Sequence, residues 1–194
     1  MKALPDQRLW RKYNLIAGVD EAGRGPLAGP VVAAAVVLPR HYLHPGIEDS
    51  KKLSPARRDE LYNVIIGMAL TYSFGIVDAR TIDTVNILQA TRMAMREAIA
   101  GLKPAPQFVL IDGQSIGDLP FQYQPLIKGD TLSISIAAAS ILAKVRRDAI
   151  MCEYHNSYPQ YYFQRHKGYP TKLHRACIQK HGSCPIHRMS FRLL

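Results

Sequence analysis

The sequence predicts an α/β fold built on one mixed sheet, and three observations carry that reading. Three apolar, strand-like runs fall before residue 80, with one helix-like stretch between the second and the third. Helix-like and strand-like segments then alternate along the chain, the order expected of a sheet with helices on its faces. The strand-like runs are short and bounded by Gly, Pro or acidic residues, whereas the helix-like ones space their apolar residues three and four apart.

Leu15 to Val19 is a short apolar run ending at Asp20-Glu21, and Val31 to Leu38 is a β-branched and alanine run between Pro30 and Pro39. Both read as buried strands, joined by the glycine-rich stretch Ala22 to Gly29. Ser54-Pro55 supplies a capping hydroxyl and a proline at the first helical position, opening a helix through Ala69. Tyr72 to Val77 reads as the third strand. Thr81 to Gly101 places Ile82, Val85, Leu88, Met95 and Ile99 on one face, predicting a single helix that stops at Gly101 with Pro104 beyond. Phe108 to Ile111 is an apolar run that stops at Asp112-Gly113, and Tyr123 to Ile127 is a further strand shortly before Asp130. From Thr131 an alanine-rich segment predicts a long, closely packed helix, and Pro170 to Lys180 a shorter one. A chain of 194 residues with 47 % hydrophobic and 21 % charged residues suits one compact domain and not a disordered or fibrous protein.

The formal net charge is +10, and its distribution is uneven. Met1 to Asp130 holds 15 basic and 13 acidic residues, whereas Thr131 to Leu194 holds 10 basic and 2 acidic. Such an excess points to a polyanionic partner or to a solvated face. Cys152, Cys177 and Cys184 form no disulfide framework, which fits a reducing compartment and makes the cytoplasm the expected location. Met1 to Asn14 alternates charged and apolar residues without a signal-like core, and no apolar stretch is long enough to span a bilayer, so neither secretion nor membrane insertion is expected.

The carboxylates are the informative feature. Asp20 and Glu21, Asp112 and Asp130 each end an apolar strand-like run or sit just beyond one. In open α/β sheets the carboxyl ends of strands border the ligand crevice, so these acids are expected to face one another. Clustered carboxylates raise one another's pKa values unless cations share the site, and hard divalent ions bound by oxygen suit displacement at phosphorus. Taken singly, each acid also suits a turn or a helix cap: Asp112-Gly113 is a common turn pair, and Asp130 could cap the helix that follows. The acids alone leave kinase, phosphatase and nuclease unresolved.

The segment Gly18-Val-Asp20-Glu21-Ala-Gly23-Arg24-Gly25-Pro26-Leu-Ala-Gly29-Pro30 resembles the opening signature of the type 2 ribonuclease H family, ribonuclease HII. In order there follow Asp49-Ser50-Lys51-Lys52-Leu53, Asn86-Ile87, Ile111-Asp112-Gly113, Lys128-Gly129-Asp130, Ala138-Ala-Ser140-Ile-Leu-Ala143-Lys144-Val145, His166-Lys167-Gly168-Tyr169, His187-Arg188 and Ser190-Phe191. The resemblance implies a ribonuclease H-like fold, a five-stranded mixed sheet flanked by helices, with residues 150–194 as a small basic C-terminal helical extension of the single domain. It implies an endonuclease that cuts the RNA strand of RNA–DNA hybrids and cuts 5′ of single ribonucleotides in duplex DNA, leaving 3′-hydroxyl and 5′-phosphate ends. Asp20, Glu21, Asp112 and Asp130 match the family's metal-binding acids, with two Mg²⁺ or Mn²⁺ ions at the site and Asp20 central between them.

By the same resemblance, Gly23-Arg24-Gly25 would read a 2′-hydroxyl through its backbone, and Tyr169 would sense that hydroxyl and pack on the next sugar. Lys51, Lys52 and Lys144 are candidates for phosphate contact, although Lys144 is also placed to pair with Asp148 one helical turn on. Two positions depart from the family pattern: Tyr162 stands within Tyr161-Tyr162-Phe163 where glycine is frequent, and Pro170 follows Tyr169 where glycine is common. No clamp-binding peptide is apparent after Phe191, and a monomer is expected. The sibling ribonuclease HIII carries an extra N-terminal domain and a glutamate as its fourth acid; the 14 residues before Leu15 and the aspartate at 130 favour type 2. A reading of another class is a noncatalytic, zinc-stabilised RNA-binding protein held by Cys177, His181, Cys184 and His187, although zinc ligand pairs usually stand further apart.

Overall fold

The structure, a computed structural model, describes residues 5–44, 46–47 and 53–194. Its elements in chain order are α1 (Pro5–Leu9), β1 (Ile16–Ala22), β2 (Val31–Val37), α2 (Pro55–Met68), β3 (Thr71–Val77), α3 (Ala79–Val85), α4 (Ile87–Ala100), β4 (Phe108–Asp112), β5 (Gln122–Leu126), α5 (Ile134–Ser157), α6 (Phe163–His166) and α7 (Lys172–His181), with single 3₁₀ turns at Gly129–Thr131 and Pro159–Tyr161. The five strands form one mixed sheet in the order β3-β2-β1-β4-β5. β1, β2 and β3 are antiparallel neighbours, and β4 and β5 run parallel to β1.

The period of two along β2 explains the two-sided core. Ala34 and Val36 pack with Ile136, Ala137, Ile141 and Leu142 of α5, whereas Val31, Ala33, Ala35 and Val37 pack with Ala90, Ala94, Met95 and Ala98 of α4. With both faces covered, the strand reads as a continuous apolar run, and each buried Val contributes about 1.5–3 kcal/mol. Small residues let the layers close tightly. A methyl at Gly18 would collide with the backbone of Ser135 and Ile136, so α5 rests directly on the middle of β1. A third, smaller core gathers Leu27 and Ala28 with Met151, Tyr161, Phe163, Cys177, Ile178 and Ile186. It fastens the C-terminal segments to the loop between β1 and β2.

The expected sheet forms, with three corrections to its elements. β1 extends to Ala22, so Asp20 and Glu21 lie within the strand and not after it, because antiparallel pairing with β2 continues to Ala22↔Val32. The single helix expected over Thr81–Gly101 is two, broken at Asn86. That residue adopts φ 68°, and its side chain accepts the N–H of Gln89 to cap α4. The long helix starts at Ile134, after a 3₁₀ turn, and its cap is Ser133, which accepts the N–H of Ile136. Buried Asp6 adds a second cap, accepting the Ser133 hydroxyl and the Ser135 N–H at 3.1 Å each. Among the described residues no helix is long and apolar enough to cross a membrane.

Tyr162 explains one departure from the family pattern. Its φ of 56° lies in the left-handed region that favours glycine, and the residue is accommodated with its side chain partly exposed. Its neighbours Tyr161 and Phe163 stack beneath it with ring centres 5.4 Å apart.

Candidate active site

Strand register brings the acids together. β1 and β4 are parallel neighbours with Val19 paired to Ile111, so Asp20 stands level with Asp112 at the last residue of β4. Adjacent strands lie about 4.8 Å apart, which sets the separation of the two carboxylates before any side-chain choice is made. One oxygen each of Asp20, Glu21 and Asp112 lies within 4.8 Å of the other two. Asp20 is 5 % exposed; its carboxylate accepts the N–H of Glu21 at 2.7 Å and bonds the Ser140 hydroxyl from α5.

The electrostatics follow from burial and crowding. Burial, then the charges of Glu21 and Asp112, push the Asp20 carboxyl well above the ordinary carboxylate range, against the opposing bonds from Glu21 and Ser140. Burial likewise raises Glu21, with Asp112 adding to the rise and Arg24 opposing it from 3.6 Å. A donor set made only of carboxylate oxygens, packed closely enough that burial and repulsion disfavour ionisation, fits a hard divalent cation.

Asp130 lies outside that group of three. It sits buried on the 3₁₀ turn Gly129–Thr131, and the turn docks on the site because the Gly129 N–H donates to Asp112 Oδ1 at 2.6 Å. The fourth acid is thus one residue from a group already bonded to the trio.

The trio opens into a cleft of about 420 Å³. Gly23, Arg24 and Gly25 line it together with Tyr169, Lys144, Arg58 and Ser140. Lys144 Nζ donates to Asp148 Oδ1 at 2.7 Å, the helical pairing its spacing allows, and sits 5.6 Å from the centre of the Tyr169 ring. Lys51 and Lys52 lie outside the described residues. Arg58 had no sequence signal beyond a charge on a helix; it lies 3.6 Å from Asp148 and so shares a carboxylate with Lys144. Ser140 lay inside a matched segment without an assigned role.

The zinc reading is not supported. Among the described residues the acid trio is the one group of three or more side chains able to hold a metal. His187 turns Nε2 to His174 Nε2 at 3.1 Å and Nδ1 to Cys184, while Cys177 is buried in the small third core.

Comparison with known proteins agrees over nearly the whole chain. The family model for ribonuclease HII matches residues 17–194. The ribonuclease HII of Geobacter sulfurreducens is 57 % identical over 182 residues, covering 94 % of this chain and 84 % of the relative. Among solved structures, the ribonuclease H2 of Pyrococcus horikoshii OT3 superposes with a TM-score of 0.78 at 25 % identity, covering 92 % of this chain and 94 % of that one. The Bst ribonuclease HIII solved in complex with Mn²⁺ superposes at 0.69 with 18 % identity, covering 97 % of this chain and 71 % of that one, a likeness of fold.

Proposed function

From the premise that the chain belongs to the ribonuclease HII family, we propose that it is a metal-dependent endonuclease hydrolysing the RNA strand of RNA–DNA hybrids, with Asp20, Glu21, Asp112 and Asp130 holding the metal. The observation that carries the residue assignment is the convergence of Asp20, Glu21 and Asp112 within 4.8 Å on neighbouring strands. When bound, two Mg²⁺ or Mn²⁺ ions supply Lewis-acid polarisation of an attacking water and of the leaving 3′-oxygen.

The chain's own residues do the rest. The Asp20 carboxylate is held in place by the Glu21 N–H and the Ser140 hydroxyl, so its oxygens stay fixed at the floor of the cleft. The Gly23-Arg24-Gly25 backbone approaches the 2′-hydroxyl of the ribonucleotide 3′ of the scissile phosphate, and the Tyr169 ring packs on the following sugar. Lys144 and Arg58 border the cleft as phosphate contacts. Hydrolysis leaves a 3′-hydroxyl and a 5′-phosphate. Single ribonucleotides embedded in duplex DNA are substrates as well as longer hybrids. The chain acts as a single domain and monomer in the cytoplasm, with residues 150–194 extending its basic surface.

The test uses duplexes carrying one embedded ribonucleotide or a long RNA tract, with Mg²⁺ or Mn²⁺ present. Asp20→Asn and Asp112→Asn should each lower the cleavage rate by about a thousandfold or more. Retained cleavage by both variants defeats the assignment.

A further inference from the structure

Arg147 and Arg188 are both fully buried, at 0 % exposure. Among the described residues neither forms an ion pair with a carboxylate. A buried guanidinium is tolerated only when its N–H groups find acceptors, and here six backbone carbonyls supply them. Arg147 donates from Nε to Pro30 at 2.9 Å, from Nη1 to Lys167 at 3.0 Å and from Nη2 to Ala28 at 3.1 Å. Arg188 donates from Nε to Gly29 at 2.9 Å, from Nη1 to Arg24 at 3.1 Å and from Nη2 to Gly23 at 2.6 Å.

Five of those carbonyls belong to Gly23–Pro30, the segment that follows the acids and whose first three residues line the cleft. The sixth lies two residues before Tyr169, and Arg147 Cζ stands 5.8 Å from the Tyr169 ring centre. Two side chains thus tie the Gly23–Gly25 turn and the segment before Tyr169 to one frame. The fit leaves no slack: Gly23 has φ 102°, and a methyl there would strike the Arg147 side chain and the Pro30 carbonyl.

The direction of the anchored carbonyls matters. A trans peptide points its C=O and N–H in opposite directions. With the Gly23 and Arg24 carbonyls turned inward on Arg188, the N–H groups of Arg24 and Gly25 are turned away from it. Gly25 has open space where a side chain would stand. We propose that Arg188 and Arg147 are positioning residues for ribonucleotide recognition, holding the Gly23-Arg24-Gly25 peptides so that the Arg24 and Gly25 N–H groups are offered to the sugar hydroxyl at a fixed distance from Tyr169. This rests on the nuclease reading above and adds two residues that touch no substrate.

Arg188→Lys keeps the charge and most of the buried length but cannot serve three carbonyls in a planar fork. Three measurements on the full chain decide the matter. Amide exchange without substrate should quicken about tenfold or more across residues 23–30 while the amides of β2 stay protected. For the single-ribonucleotide duplex, kcat should fall about tenfold to a hundredfold with KM changed less than about threefold. Mn²⁺ affinity by calorimetry should stay within about twofold, because Asp20 and Asp112 are bonded by Glu21, Ser140 and Gly129, outside the anchored turn. Unchanged exchange in the turn, unchanged kcat, or a loss of Mn²⁺ affinity that accounts for the lost rate would overturn the proposal. Should Arg188→Lys fail to fold, the same three readings on Arg147→Lys decide. If the unaltered chain cuts neither duplex, the nuclease reading falls, and exchange protection of the turn still judges the anchoring by itself.

Discussion

Gly18 occupies a position where the absence of a side chain sets the height of a helix. Its neighbour across the layer is the backbone of Ser135, so Gly18→Ala must push α5 outward or distort β1. We expect a loss of about 2–3 kcal/mol of stability, read from the urea midpoint; an unchanged midpoint would show that α5 yields freely. Tyr169 behaves differently because its ring is 39 % exposed and rests on Lys144 and Arg147. Tyr169→Ala should leave the melting temperature nearly unchanged while cleavage at a single ribonucleotide falls by about tenfold. Cleavage at the parental rate would dismiss its role. The acids were legible because three of them end apolar runs, a pattern that survives in one dimension. Arg147 and Arg188 were not, since a buried arginine and a surface arginine are the same letter, and only the fold shows six carbonyls around them.

Most strands and helices could be read from local pattern, and the misplaced boundaries have local causes. Asn86 divided a helix whose apolar spacing continues across the break, because its side chain accepts the Gln89 N–H at 3.1 Å and so caps the next segment while its backbone leaves the helical region. The start of α5 moved to Ser133 because that hydroxyl accepts the Ile136 N–H, while Asp130 lies in the 3₁₀ turn before it. The C-terminal segments hold a property that no periodicity announced. His166 and His174 stack with ring centres 4.4 Å apart, and His174 meets His187. Burial presses His174 from 6.5 down to about 4, and lowers His166 and His187 as well. A histidine held neutral contributes stability that is complete above its unfolded value and is lost as pH falls through 6.5 towards 4. Asp20 and Glu21, with raised values, act in the opposite sense over part of that range. The difference between parent and His174→Gln isolates the histidine: the parent's advantage should shrink by about 2–3 kcal/mol between pH 7 and 4. A gap that is constant or widens on acidification contradicts this.

For the molecule as a whole, the excess of positive charge is what sets its affinity for a polyanion, yet the count overstates the surface available. Of the 10 basic residues after Asp130, Arg147 and Arg188 are spent inside the protein. Binding to a noncleavable hybrid should still weaken by at least about tenfold between 50 and 200 mM salt; affinity independent of salt would leave this charge as a solvated face and not a contact with a polyanion. The ribonuclease H-like sheet itself was legible only through the matched motifs, since alternation of elements fixes a mixed sheet without fixing its strand order. Arg188 reaches back across 165 residues to grip Gly23, so the loop that follows Asp20 and Glu21 is closed by a contact between segments far apart in the chain. Closing so long a span costs chain entropy that local contacts do not repay, so the Gly23–Gly25 turn is expected to order late in folding, after the sheet that carries the acids.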